Sequence, residues 1–366
     1  MENRSRGLQE PFLQSESEPL TQQELILTFA NGVTRSVSRR HESISCTPEW
    51  IWGEVRKQLH IAGPIVCVSM IQYLLIVVSL MFVGHLGELQ LASAAIASSF
   101  AGVTGSTLLQ GMASALETLC GQSYGAKQYH MLGIHMQRAM LVLWLVSVPI
   151  AVMRWNMNSL LLYQGQDLEI AEMAGEYARY LVPTLFGLAT LQPLIKFLLT
   201  QSVVLPMALM SGATLSVHIP LFWVLVFKLG FGHRSAAIAT SISTWLNVVF
   251  LGLYVKCSST CKRTWTSFSG EAFHELSTFC KLAVPSAIMI CPQYWSFEGL
   301  VLLSGPLPNP QLETSSLSIC FTSDSLLYMI PFGIGASAST RVGNELGAGR
   351  PQAAKAAVIV SVSMGM

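Results

Sequence analysis

Two carboxylates stand where a carboxylate is out of place: Glu298, in Tyr294-Trp-Ser-Phe-Glu298, and Asp324, in Phe321-Thr-Ser-Asp324, both within long apolar runs. An ionisable group at membrane depth is costly and marks a functional site by default. A carboxyl so placed can take up and release a proton, and its protonation would compete with binding of a cation in the same cavity. Glu298 and Asp324 are therefore the proton-coupling candidates. Beside them, Gln293, Tyr294 and Trp295 form one polar and aromatic group, and Gln72 and Tyr73 form another near the start of the chain. Amides hydrogen-bond a ligand, and aromatic faces hold a cation at ~0.5–2 kcal/mol per contact. These five residues are the substrate-cavity candidates. Enzyme chemistry finds no support, because no nucleophile, base and oxyanion arrangement is apparent. Cys257 and Cys261 have no histidine or second cysteine pair nearby to complete a metal site, and no bound cofactor is expected.

The elements that must position these residues follow from composition. Of 366 residues, 51% are hydrophobic and only 11% charged, against about 25% charged in a soluble globule. The net charge of +1 and scattered basic residues give no reason to expect nucleic acid; the partner implied is a lipid bilayer. Runs of about 20 apolar residues, enough to cross ~30 Å of hydrocarbon, recur from residue 59 onward. They are placed at 59–83, 92–117, 135–160, 177–200, 204–227, 235–256, 278–303 and 312–338, with the start of a ninth at 353–366. The breaks carry turn chemistry, at Gly84 to Gly87, Gly165 to Asp167, Gly230 to Gly232 and Gly305 to Pro310. Residues 1–50 are rich in Ser, Glu, Gln and Arg and read as a disordered cytosolic tail without a cleaved leader. With the tail in the cytosol, 17 of the 21 Lys and Arg fall inside, and only Arg154, Arg179, Lys228 and Arg234 fall outside. Glu117 and Lys127 flank an inner turn and read as surface or helix-end charges.

The chain also repeats itself. One constant offset aligns Ala62 with Ala283, Pro64 with Pro285, Gln72-Tyr73 with Gln293-Tyr294, and Gly84 with Gly305. Lengthened by a single position, it aligns Gly121, Gly125 and Ala126 with Gly343, Gly347 and Ala348. The shift spans six helices, an even number, so the two copies share one orientation in the membrane, a parallel repeat. The organisation read from this is a first six-helix lobe at 51–256, an inner loop at 257–277 and a second, partial lobe at 278–366.

Several stretches resemble the plant form of the multidrug and toxic compound extrusion (MATE) family. They are Met81-Phe-Val-Gly-His-Leu-Gly-Glu-Leu89, Ala115-Leu-Glu-Thr-Leu-Cys-Gly-Gln-Ser-Tyr-Gly125, Thr200-Gln-Ser-Val-Val-Leu-Pro206, Leu307-Pro-Asn-Pro-Gln-Leu-Glu-Thr314 and Ala338-Ser-Thr-Arg-Val-Gly-Asn-Glu-Leu-Gly347. The resemblance implies an all-α integral membrane protein, a 6+6 parallel-repeat bundle of 12 helices, of which about eight are complete here. It implies a monomeric antiporter, driven by a proton or sodium gradient, for small organic molecules such as cations, xenobiotics or secondary metabolites. The plasma membrane or the vacuolar membrane would be its site. One departure is evident: the resemblance places an acid at the position occupied here by Gln293, which cannot exchange a proton near neutral pH. The alternative expectation is a truncated, transport-inactive membrane protein or gene-model fragment of such a transporter.

Overall fold

The computed structural model describes residues 48–304 and 307–365, without the side chains of 48–51, 298, 302, 310, 311 and 365. The tail expected over residues 1–50 lies outside the described residues except at its end, where Pro48 already opens a helix. Among the described residues every regular element is helical. They are α1 (Pro48–Gly84), α2 (Glu88–Ala101), α3 (Thr107–Ala113), α4 (Ala115–Gly125), α5 (Tyr129–Trp155), α6 (Met157–Tyr163), α7 (Leu168–Tyr180), α8 (Val182–Thr200), α9 (Leu205–Trp223), α10 (Arg234–Cys257), α11 (Leu276–Ser304), α12 (Pro310–Gly347) and α13 (Pro351–Gly365). Seven helical stretches are long and apolar enough to cross a bilayer, and α11, 29 residues long, carries the remaining expected span.

The expected spans recur with shifted limits, and each shift has a physical cause. α1 starts at Pro48 rather than at residue 59, because Glu54 and Gln58 are polar yet buried by partners far along the chain. Gln58 donates to Ala357 O at 2.8 Å, and Glu54 pairs with Arg341. α12 likewise runs on to Gly347, and its 38 residues extend about 57 Å at ~1.5 Å per residue. The span expected at 135–160 instead ends at Trp155, and 157–163 form the separate helix α6. The span expected at 177–200 is interrupted at Leu181, where Pro183 cannot supply a backbone N–H. The second span continues from Glu88 to Gly125 through a π-helical turn at Gly102–Ser106. At the first break, Gly87 has φ 136°, a conformation that glycine adopts without steric cost.

One side chain ties these interruptions together. Arg154, fully buried, donates from Nη2 to Ala101 O at 2.8 Å, at the π turn, and from Nη1 to Leu181 O at 3.2 Å, at the α7–α8 break. The charge pattern places Arg154 on the outer side; within the fold its side chain is buried and bridges the Ala101 and Leu181 carbonyls. Glu117 is a correction. It is mostly buried and accepts a hydrogen bond from Lys196 Nζ at 2.5 Å, so it is paired rather than a free surface charge.

The two repeats meet through glycines. A Cβ on Gly121 would stand 3.1 Å from Gly343 Cα, and one on Gly125 or Gly347 would collide with backbone of the facing helix. The four glycines are the same pairs that the sequence offset aligned, so α4 and α12 cross on a local two-fold axis. Further contacts repeat about it: Gly111 packs on the Ala287 backbone, and Gly333 packs on Val66. Those pairs are also related by the repeat, since residue 66 corresponds to 287 and 111 to 333. Consequently α11 packs on α3, and α12 on α1 and α4, more closely than α11 and α12 pack on each other.

Candidate substrate cavity and proton-coupling residues

Gly111 fixes the approach of α11 to α3, because only there can the Ala287 backbone come so close. Ala287, Cys291 and Tyr294 follow at i, i+4 and i+7, one helix face; the first two are buried against the first lobe. That face presents Tyr294 to α3, where the Gln110 side chain is its hydrogen-bond partner, with Tyr73 of α1 close by. Gln293, one residue earlier, donates from Nε2 to the Tyr328 hydroxyl of α12 at 2.8 Å. The Tyr294 and Tyr328 rings meet edge-on at 6.5 Å, and Tyr328 continues to Phe332 at 6.3 Å. Gln293, Tyr294 and Tyr73 are thus brought together with Gln110 and Tyr328, from α1, α3, α11 and α12.

The remaining candidates are distributed differently. Trp295 is 43% exposed and enters none of the ring pairs among the described residues. Gln72 has a buried amide nitrogen without a hydrogen-bond partner, an available donor next to Tyr73. Glu298 lies on α11 four residues beyond Tyr294, and its side chain is outside the described residues. Asp324 is exposed on α12, three residues after Phe321 and four before Tyr328, on the helix face those two share. Phe321 meets Phe297 of α11 edge-on at 5.6 Å, so the two helices approach each other one residue from Glu298 and three from Asp324.

Sequence reasoning missed Gln110, Tyr328 and His218. The first is a lone amide in an apolar run, a visible signal; the second takes its meaning only from Gln293 across the helix pair. His218 lies on α9, fully buried, between Ser79 of α1 and Ser243 of α10. The Ser79 hydroxyl gives its proton to Leu75 O at 2.8 Å. His218 Nε2 lies 3.1 Å from the Ser79 hydroxyl and Nδ1 lies 2.8 Å from the Ser243 hydroxyl, so each ring nitrogen has a hydroxyl beside it. The signal was a histidine within a span of otherwise apolar and small residues.

The repeats close on each other at the end of the bundle that carries the 258–275 loop. Arg341 of α12 clamps Glu54 of α1, with Nη2 at 2.9 Å from Oε1, and holds Glu345 at 3.0 Å through Nη1. Arg350 completes the chain at 2.8 Å from the second Glu345 oxygen. Asn344 donates to Thr200 O at 3.1 Å. The loop is itself fastened to the first lobe: Gln137 donates to Ser267 O and accepts from Ser269 N–H, and Thr264 donates to Gln201. Toward the far end α12 exposes Leu312, Ile319 and Leu327, whereas Ser337, Thr340 and Glu345 near the loop end are buried.

A family model described as MatE matches residues 64–224 and 285–366, two blocks whose starts are separated by the offset of the repeat. Protein DETOXIFICATION 16 of Arabidopsis thaliana is 55% identical over 309 residues, which cover 84% of this chain and 64% of that protein. Protein DETOXIFICATION 17 of the same plant is 54% identical over 311 residues, 85% of this chain and 65% of that one. The chain thus spans just under two thirds of the length of these relatives. The crystal structure of the eukaryotic MATE transporter AtDTX14 superposes with a TM-score of 0.81 at 49% identity, covering 86% of this chain and 70% of that one. A MOP superfamily transporter from Pyrococcus furiosus shares the fold, with a TM-score of 0.68 at 19% identity, covering 85% and 69%.

Proposed function

This chain belongs to the MatE family, a family of multi-pass membrane transporters, and from that premise we propose that it serves a secondary-active efflux antiporter. Its substrates are bulky organic cations, xenobiotics or secondary metabolites, exported or sequestered in exchange for protons across the plasma or vacuolar membrane. It acts as a monomer with the 258–275 loop and the N-terminus in the cytosol. The observation that carries the reading is the Tyr73, Gln110, Gln293, Tyr294 and Tyr328 cluster between the repeats. Aromatic faces attract an organic cation, amides orient it, and the cluster sits where relative motion of the two repeats would change which side can reach it.

Protons enter through the acids near this cluster. Gln293 stands where the resemblance places an acid, so the coupling falls to Glu298 and Asp324. A proton gradient biases the two states only by the difference in their proton affinity, and a carboxyl that faces the cavity in one state and packed helix in the other supplies such a difference.

The test is uptake by proteoliposomes of a fluorescent organic cation against an imposed pH gradient. Accumulation that collapses with the gradient, weakens when Tyr294→Ala removes the ring and vanishes with Glu298→Gln or Asp324→Asn supports the reading. Accumulation that follows a sodium gradient instead replaces the coupling ion. Absence of accumulation under either gradient refutes antiport by this chain.

A further inference from the structure

The first lobe carries a groove of about 450 Å³ on its outer ring, where α7 breaks into α8 against α10. Its wall along α10 is Ile238, Ile242 and Trp245, at i, i+4 and i+7, one apolar stripe about 10 Å long at ~1.5 Å per residue. Pro183 closes the other side, and Arg179 and Tyr180 stand at its mouth, the end of the bundle away from the loop. Ile242 is 45% exposed and Tyr180 37%, so the groove opens sideways, to the hydrocarbon rather than to the lobe interior.

The polar atoms of the groove floor are already engaged. Ser241 donates to Tyr180 O at 2.8 Å and meets Thr184 Oγ1 at 2.7 Å, and Trp245 Nε1 donates to Pro183 O at 3.0 Å. Both carbonyls flank the helix break at Leu181. The interior therefore asks for an apolar occupant. Arg179 asks for something else. Its Nε donates to Trp155 O at 3.3 Å and its guanidinium lies 5.8 Å from the Trp155 ring centre, which holds the group in place beside that ring. On the same rim Arg234 is matched by Glu176 at 2.7 Å. Arg179 has no carboxylate partner among the described residues.

A fixed, unmatched guanidinium at the mouth of an apolar groove that runs inward from the interface has the charge and shape complement of one molecule, a phosphate ester bearing a hydrocarbon chain. We propose that the groove is a binding site for a phospholipid of the leaflet away from the loop, its phosphate on Arg179 and one acyl chain along Ile238, Ile242 and Trp245. Planar guanidinium suits phosphate oxygens in pairs. The bound chain would brace the α7–α8 break from the side that no element covers among the described residues.

The experiment is native mass spectrometry with a parallel thermal-stability series on the purified chain. Phosphatidylglycerol, phosphatidylcholine, diacylglycerol and inorganic phosphate are added in turn. The expected result is one retained phospholipid and a raised melting temperature with either phospholipid, and neither effect with diacylglycerol or phosphate alone. Arg179→Gln should weaken retention by roughly tenfold, the loss of one charge-assisted contact. Ile242→Trp should fill the groove and abolish retention while leaving the lipid-free melting temperature unchanged, and Arg179→Lys, which keeps the charge but loses the planar fork, should bind more tightly than Arg179→Gln and more weakly than the parent chain. Equal retention of diacylglycerol, stabilisation by phosphate alone, or full retention in Ile242→Trp overturns the proposal.

Discussion

Replacing Gly347 with alanine puts one methyl group into the crossing of α4 and α12. The new carbon would stand 2.7 Å from Gln122 Cα and 2.8 Å from Gln122 C. Carbon atoms pack at ~3.5–4.0 Å, so the helices must part by about 1 Å. Both partners are main chain, and no side chain can turn aside to make room. Overpacking of this kind costs ~1–3 kcal/mol, and here the upper part of that range is expected. The same substitution at Gly343 meets Glu117 O at 3.1 Å, a shortfall of a few tenths of an ångström, and should cost less. At Gly335, two turns earlier on the same helix, nothing lies within 4 Å; alanine there should be neutral or stabilising, by up to ~1 kcal/mol of helix propensity. Reversible unfolding of the three variants by SDS in mixed micelles gives the order directly. With overpacking at one site and a propensity gain at the other, Gly347→Ala and Gly335→Ala should differ by about 2 kcal/mol or more. Equal midpoints, or Gly335→Ala as the worst, would refute the view that the glycines hold the repeats at contact distance.

Three other outcomes are expected. Glu54→Gln leaves Arg341 at the loop-end clamp without its partner on α1, and loss of such a mostly buried pair should cost about 3 kcal/mol; a Glu54→Gln/Arg341→Gln cycle in the same assay should show coupling above ~1 kcal/mol. His218→Leu leaves the buried Ser243 hydroxyl without its imidazole partner, while Ser79 keeps its bond to Leu75 O; the cost should be ~1–3 kcal/mol, and adding Ser243→Ala should recover part of the loss rather than add to it. With the N-terminus cytosolic, the sequon Asn3-Arg-Ser5 stays unmodified in a eukaryotic host, and exposed Cys257 is labelled by an impermeant maleimide only from the cytosolic side; glycan on Asn3 would overturn the topology.

Spans were legible because crossing hydrocarbon imposes a length and a hydropathy that show in any window. The extensions at 48–58 and 339–347 were not, since their polar residues are buried by partners far along the chain, Glu54 by Arg341 across 287 positions and Gln58 by Ala357 across 299. The π turn and the break at Leu181 share one distant side chain. Arg154 has the composition of a surface cation, and nothing local reveals that it reaches Ala101 and Leu181. In the cavity, Gln293, Tyr294 and Tyr73 were visible through the repeat, which supplies a second copy against which to read the first. Tyr328 has no aromatic counterpart under the offset, and its role exists only in the geometry of two helices. His218 escapes a reading of the first lobe that is keyed to acids, because its two hydroxyl neighbours come from other helices.

The glycine crossing also sets a schedule for biogenesis. Gly125 leaves the ribosome long before Gly347, the position that packs beside it. At ~5–20 residues per second, the nascent α4 waits about 10–45 s with its narrow main-chain groove unfilled. During that interval the groove is open to lipid, to the insertion machinery or to the wrong helix of another nascent chain. α3 waits similarly for Ala287, and α1 for Gly333. The first repeat is thus delivered to the membrane with its central seam incomplete, and a slow step in synthesis between Gly125 and Gly347 would lengthen the period in which it can be misassembled.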